Sequence, residues 1–138
     1  MSDILQFGTP SGEYKQRPGA YAVVIQSGKV SCLSVNGKIH LPGGGIDEHE
    51  DPEAALRREV KEETGYTVDQ LDPLGRANQF FETTREGWPL NKLGQFFNAT
   101  LTADSPIASE ADHEVLWLPV DAFLESNAKE YQKWAVKH

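Results

Sequence analysis

The chain has 138 residues and a mass of 15.3 kDa, one ordinary domain's worth and enough to bury a core without disulfides or structural zinc. Its 38% hydrophobic and 25% charged content is that of a globular protein, and its longest apolar run, the six residues Ala20 to Ile25, falls far short of the ~18 that a membrane helix needs. Thirteen basic against 21 acidic residues give a net charge of −8, the wrong sign for holding nucleic acid by phosphate neutralisation. The N-terminal stretch lacks the basic start and apolar core of a secretory signal, and a single Cys32 reads as a packed thiol rather than a nucleophile. The expected setting is cytoplasmic.

In chain order, Ala20 to Gln26 and Val30 to Val35 read as β-branched-rich strands joined by the turn Ser27-Gly28-Lys29. Asn36-Gly37 is a second hairpin signal. Lys38 to Leu41 is then a strand stub that the glycines of Pro42-Gly43-Gly44-Gly45 are expected to end. Asp51-Pro52 opens a helix, because the Asp carboxylate caps free N–H groups and proline suits the first helical position. Gly65 closes it, so the strong helix formers between predict a helix over Pro52 to Thr64. Tyr66 to Val68, Leu74 to Thr83 and Lys92 to Thr102 predict strands separated by Asp72-Pro73 and Gly87-Trp88-Pro89. Glu114 to Val120 predicts another, and the helical spacing of Phe123, Leu124, Tyr131, Trp134 and Ala135 predicts one closing helix with a core-facing aromatic stripe. These elements make one mixed α+β domain over residues 1–138, with 1–17 as a loosely ordered or edge-strand segment.

The charge excess is local. The stretch from Asp47 to Glu63 holds eight acids against three bases. On a helix that turns about 100° per residue, Glu59, Glu62 and Glu63 fall within one arc roughly 100° wide and so share a face. Ala55, Leu56 and Val60 share that side, while Arg57 and Lys61 point the opposite way. The acids should therefore face the protein body, where their charge must be compensated. Three carboxylates on one helix suit Mg²⁺ or Mn²⁺, which prefer oxygen donors and keep exchangeable positions. Zinc is disfavoured, because His40, His49, His113 and His138 lack i,i+4 pairing and there is no second cysteine.

The stretch from Gly44 to Tyr66, GGIDEHEDPEAALRREVKEETGY, resembles the Nudix box, G-x5-E-x7-R-E-U-x-E-E-x-G-U with U a bulky aliphatic. Gly44, Glu50, Arg58, Glu59, Glu62, Glu63 and Gly65 occupy the fixed positions and Val60 the first aliphatic one; only Tyr66 departs, at the last. The resemblance implies the Nudix fold, a mixed β-sheet sandwiched between α-helices. It also implies Mg²⁺- or Mn²⁺-dependent hydrolysis of the pyrophosphate bond of a nucleoside diphosphate linked to another moiety, by water attack at phosphorus. Carried across, Glu59, Glu62 and Glu63 are metal ligands, Arg58 pairs with Glu50 to hold the loop, and the carbonyl of Gly43 or Gly44 approaches the metal.

Comparable loops in relatives often supply a carboxylate six or seven residues before the strand tryptophan, which selects Glu110 as an added ligand or the base, with Glu114 second. The partner implied is a small nucleoside diphosphate derivative; no strong nucleic-acid or membrane binding is expected, and a homodimer is admissible. Phe80, Phe81, Trp88, Phe96 and Phe97 are candidates to stack a base, and Arg17, Arg76, Arg85 and Lys92 to reach phosphates. The rival readings are a Nudix-like module that binds nucleotides without cleaving them, which would be expected to lose box carboxylates, and a nucleic-acid enzyme, which would need a basic track. Neither feature is found.

Overall fold

The computed structural model describes residues 5–8, 15–47, 49–81, 90–102 and 113–137. In chain order these form β1 (Leu5–Phe7), β2 (Lys15–Val23), β3 (Ile25–Gln26), β4 (Lys29–Val35), β5 (Lys38–His40), β6 (Gly43–Gly45), α1 (Pro52–Thr64), β7 (Val68–Phe81), β8 (Leu90–Leu101), β9 (His113–Pro119), α2 (Val120–Glu125) and α3 (Glu130–Lys137). A five-stranded mixed sheet runs β1-β7-β8-β2-β6, and in a second sheet β4 pairs with β3, β5 and β9. β2 is parallel to β8 and antiparallel to β6.

Alternation along the central strands divides the core. Ala20 and Ala22 of β2 and Phe97 and Ala99 of β8 pack with Leu56 and Val60 of α1. Val23 and Phe96, of opposite parity, pack with Phe123 of α2 and Tyr131 and Ala135 of α3. Helices therefore cover both faces of the larger sheet, the sandwich that the box resemblance implies. Leu56 is fully buried, so truncating it to alanine should cost about 2–5 kcal/mol. Cys32 is a free, buried thiol whose pKa burial raises to about 11, which suits a packing role. None of the described helices is long and apolar enough to cross a membrane.

Both predicted turns form, with Ser27-Gly28 and Asn36-Gly37 all at positive φ, the pattern of two-residue hairpins of the primed type. Four expectations need correction. The single strand over Ala20 to Gln26 breaks at Val24, because β2 pairs in one sheet and β3 in the other. The glycines after Pro42 continue as β6, held by backbone pairing of Gly43 with Tyr21 and Gly45 with Gly19. β7 runs unbroken through Asp72-Pro73 with bulges on either side; proline is tolerated there because β1 pairs only with residues 77–79, leaving that stretch of β7 at an edge.

The closing helix is two. Between them Asn127 accepts a hydrogen bond from the Ile39 N–H at 2.9 Å and donates one to the Gly37 carbonyl at 2.8 Å. Its side chain thus docks this connection on the β4–β5 hairpin.

Candidate active site

Helix α1 is fixed at both ends by the residues its sequence places there. The Asp51 carboxylate accepts from the Ala54 N–H at 3.0 Å, Pro52 starts the first turn, and Gly65 at φ 81° closes the last with its N–H on the Lys61 carbonyl. The Arg57 guanidinium donates to the Val68 carbonyl at 2.8 Å, tying the helix to β7. Tyr66, the box position that departs from an aliphatic, packs edge to face on Trp117 with ring centres 6.1 Å apart.

The anchored helix sets its carboxylates against the glycine strand β6. Glu63 is buried, 8% exposed, and its Oε1 accepts the Gly43 N–H at 2.8 Å. Gly43 lies at φ 142°, and a Cβ there would collide with the Ala20 carbonyl oxygen, so the position admits only glycine. At Gly44 a Cβ would stand 3.1 Å from Cδ of Glu59. The missing side chains let two carboxylates one helical turn apart approach the loop backbone.

Glu62 behaves differently. Its side chain is 47% exposed and 3.5 Å from Nη1 of Arg58. The expectation that all three acids face the protein body therefore holds for Glu59 and Glu63, while Glu62 sits at the rim because Ala55, Glu63 and Leu56 take the centre of that face.

Arg58 is the hub of the charged loop. Nη2 reaches Oε2 of Glu50 at 3.0 Å and Nε reaches it at 3.2 Å, while Nη1 donates to Oε1 of Glu59 at 3.2 Å. The Asp47 N–H donates to Oε1 of Glu50 at 3.1 Å. That backbone bond first, and Arg58 second, hold the Glu50 carboxyl below its ordinary pKa, and Glu50 in turn holds the Arg58 guanidinium above its own.

A cleft of about 550 Å³ opens beside Gly43, Gly44 and Glu63 and extends to Phe81, Lys92 and Lys129. Tyr21 lies on its wall, with a hydroxyl pKa raised first by burial, opposed by the hydrogen bond from Tyr131 at 3.3 Å, and raised further by the fields of Glu63 and Glu59. Of the aromatics singled out, Phe96 and Phe97 are core, Phe81 lines the cleft and Phe80 is half-buried. Of the basic candidates, Lys92 lines the cleft, whereas Arg17 is exposed and Arg76 borders a separate hollow. His40 also lines the cleft. Glu110, Arg85, Trp88 and His138 lie outside the described residues, and Glu114 is exposed on β9.

Tyr21, Lys129 and Gln132 carry no local signal for the cleft they line; strand parity alone separates Tyr21 from its alanine neighbours. The groups that α1 brings against β6 are the carboxylates of Glu59 and Glu63, oxygen donors of the kind that suits a hard divalent cation. Among the described residues no three His, Cys, Asp or Glu stand grouped so as to hold an ion, in keeping with Glu62 being turned to Arg58.

Residues 15–137 match the NUDIX domain family model. The chain is 36% identical over 103 residues to a GDP-mannose pyrophosphatase of Yersinia pestis, covering 73% of this chain and 49% of that protein. It is 33% identical over 78 residues to an ADP-ribose pyrophosphatase of Bacillus subtilis, covering 47% and 42%. The chain thus spans less than half the length of either relative. The structure superposes on a MutT NUDIX hydrolase from Burkholderia pseudomallei with a TM-score of 0.74 at 22% identity, over 89% of this chain and 97% of that one. With the family match running from β2 to the end of α3, and the box seated as loop, helix and loop in the same fold, the chain belongs to the NUDIX domain family.

Proposed function

We propose that the protein is a pyrophosphohydrolase that cleaves, with Mg²⁺ or Mn²⁺, the pyrophosphate bond of a nucleoside diphosphate linked to another moiety. The observation that carries this reading is the pair Glu59 and Glu63 laid against the side-chain-free backbone of Gly43 and Gly44. These carboxylates, a carbonyl of Gly43 or Gly44, and Glu62 if it swings from Arg58, would hold the cation. When bound, a divalent ion supplies withdrawal of charge from the phosphate oxygens and a coordinated water of lowered pKa.

The chain's own residues do the rest. Arg58 fixes Glu50 with a two-pronged grip and steadies Glu59, so the loop ahead of the helix keeps its shape when substrate arrives. Glu63, fastened to the Gly43 N–H, keeps one oxygen in place. Glu110 is the assigned acceptor of the attacking water's proton and an added ligand, with Glu114 second. Products are a nucleoside monophosphate and the phosphorylated remainder. GDP-mannose and ADP-ribose, for which the two curated relatives are named, are the first substrates to try.

The test is release of a nucleoside monophosphate and the phosphorylated remainder, separated from substrate by ion-exchange chromatography, from nucleotide sugars, ADP-ribose, dinucleoside polyphosphates and nucleoside triphosphates with and without Mg²⁺. Metal-dependent release from at least one supports the reading. Binding without release from any would show a sensing module.

A further inference from the structure

We propose that the Tyr21 hydroxyl donates a hydrogen bond to a non-bridging oxygen of the substrate's diphosphate, aimed there by a one-way chain of hydrogen bonds that starts at the Leu41 backbone. This rests on the hydrolase reading above and adds to it a binding residue on the cleft side of the glycine strand.

The direction of the chain follows from its first member. A backbone N–H can only donate, so the 2.8 Å bond from the Leu41 N–H makes Oε1 of Gln132 an acceptor. The Gln132 amide is left its NH2 group to offer. Its hydrogen bond to the Tyr131 hydroxyl accordingly lowers a pKa that burial first, and Tyr21 second, raise. With its oxygen accepting from Gln132, Tyr131 gives its hydrogen to the Tyr21 oxygen at 3.3 Å. Tyr21 must turn its own hydrogen away from Tyr131, and among the described residues nothing accepts it. Tyr21 is half-buried and lines the cleft beside Gly43, Gly44 and Glu63, with Tyr131 and Gln132 behind it on the same wall.

Packing fixes where that hydrogen is presented. The Tyr21 ring stacks on Phe96 with centres 5.6 Å apart and meets Tyr131 edge to face at 5.9 Å. It lies back along β2 over Gly19, where an added Cβ would stand 3.0 Å from the phenol oxygen and 3.1 Å from the Gly44 carbonyl oxygen. The hydroxyl therefore sits at the level of Gly19 and its partner Gly45, on strands about 5 Å apart. β6 consists of glycine alone and forms the edge of its sheet, so none of its side chains separates the hydroxyl from the carboxylates that α1 lays against it. A diphosphate at Glu59 and Glu63 has only that one bare strand to bridge before it meets the phenol.

The ligand must be an acceptor, because Tyr21 has a hydrogen to give. Phosphate oxygens only accept, and their charge makes the bond stronger than one between neutral groups. A neutral donor also suits the place. Lysine or arginine there would pair with Glu59 and Glu63 and compete with the cation for them, whereas a phenol donates without carrying charge. Burial raises the Tyr21 pKa, against the bond from Tyr131, and the fields of Glu63 and Glu59 raise it further, so the hydrogen stays in place at neutral pH.

Tyr21→Phe and Tyr131→Phe lose the same internal hydrogen bond and keep both rings, but only the first loses the hydrogen turned to the cleft. Steady-state kinetics should therefore separate them. With every nucleotide that wild type cleaves, Tyr21→Phe should raise KM about tenfold or more with kcat within about threefold, while Tyr131→Phe raises KM less than about threefold. The double variant should match Tyr21→Phe. Equal KM effects of the two single variants would reduce the pair to a packing role, and a rise confined to some nucleotides would move the contact to base or sugar; either overturns the assignment.

A second measurement needs no turnover: calorimetric titration with methylenediphosphonate, an uncleavable diphosphate analogue without base or sugar, in Mg²⁺. Wild type and Tyr131→Phe should bind it about tenfold or more tightly than Tyr21→Phe. Failure to hydrolyse any nucleotide, with this difference intact, would overturn the hydrolase reading and leave Tyr21 as a diphosphate ligand. Equal affinity of wild type and Tyr21→Phe, or binding by neither, overturns the Tyr21 assignment and leaves the hydrolase reading standing.

Discussion

Gly44 faces the carboxylate of Glu59 so closely that a methyl group at position 44 would lie 3.1 Å from Cδ of the glutamate. The adjacent Gly43 is constrained differently, by its φ of 142° and the Ala20 carbonyl behind it. The two glycines should therefore separate activity from stability. Gly44→Ala should keep the fold, with a melting temperature within a few degrees of wild type, but displace Glu59 and lower kcat roughly tenfold. Gly43→Ala must break the β6–β2 pairing and should lose about 3 kcal/mol or more in chemical denaturation. Equal effects of the two on unfolding would contradict this.

Arg58→Ala should impair turnover much more than stability. The Arg58 side chain is 41% exposed, so water reaches Glu50 once its partner is gone and no dry charge is stranded. The loop that presents Gly44 loses its hub, however, and kcat should fall by about tenfold or more. Arg58→Lys should not restore it, since one ammonium cannot reproduce the grip on Glu50 and Glu59 together. Recovery of most activity in the lysine variant, measured against thermal melts of all three proteins, would remove the positioning role.

Acid should weaken this loop in a stated direction. The Glu50 carboxyl is held below its ordinary pKa of 4.5 by the Asp47 N–H and by Arg58. A carboxyl depressed in the folded state contributes stability that is fully present above its unfolded pKa and is lost as pH falls through the folded value. Wild type should accordingly melt above Glu50→Gln at pH 7, and the gap should narrow as pH drops below about 4.5. A gap that stays constant from pH 7 to pH 3 would show that this carboxylate's charge is irrelevant to folding.

A cation that binds only the folded arrangement of Glu59 and Glu63 must raise the melting temperature. At a free concentration ~100 times the dissociation constant the gain is about 2.7 kcal/mol, several degrees for a domain of this size. NaCl at matched ionic strength should not reproduce it. Glu59→Gln/Glu63→Gln relieves the repulsion between the two acids and keeps an oxygen for the Gly43 N–H, so in EDTA it should melt at or above wild type and gain little from Mg²⁺. A lower melt in EDTA together with the full Mg²⁺ shift would make these carboxylates partners of something else.

Helix α1 was legible because its determinants are local: Asp51, Pro52 and Gly65 act within a turn of their own positions, and the 3.6-residue period assigns Ala55, Leu56, Val60 and Glu63 to one face. The Arg58–Glu50 pairing was legible only through the resemblance to the Nudix box, since Glu50 lies ahead of the helix and no helical period relates it to Arg58. What failed depends on distant partners. Gly43 to Gly45 became a strand through backbone bonds to Gly19 and Tyr21, for which glycine side chains give no signal. Val24 ends a strand only because the residues on its two sides join different sheets. The break between α2 and α3 reflects Asn127 docking on residues nearly ninety positions earlier. Lys129 joins Phe81 and Lys92 only when α3 is laid over the sheet, so its place in the cleft could not be read from its neighbours in sequence.

The central claim, that Glu59 and Glu63 present a cation for hydrolysis, is met most directly by initial rates titrated with Mg²⁺ for wild type, Glu59→Gln and Glu63→Gln on whichever nucleotide wild type cleaves. Wild-type turnover should be absent in EDTA and rise to saturation with Mg²⁺. Each variant, folded by circular dichroism, should lose about a hundredfold or more in kcat at saturating metal. Retention by either variant of more than about a tenth of wild-type kcat, or full wild-type turnover in EDTA, would contradict it.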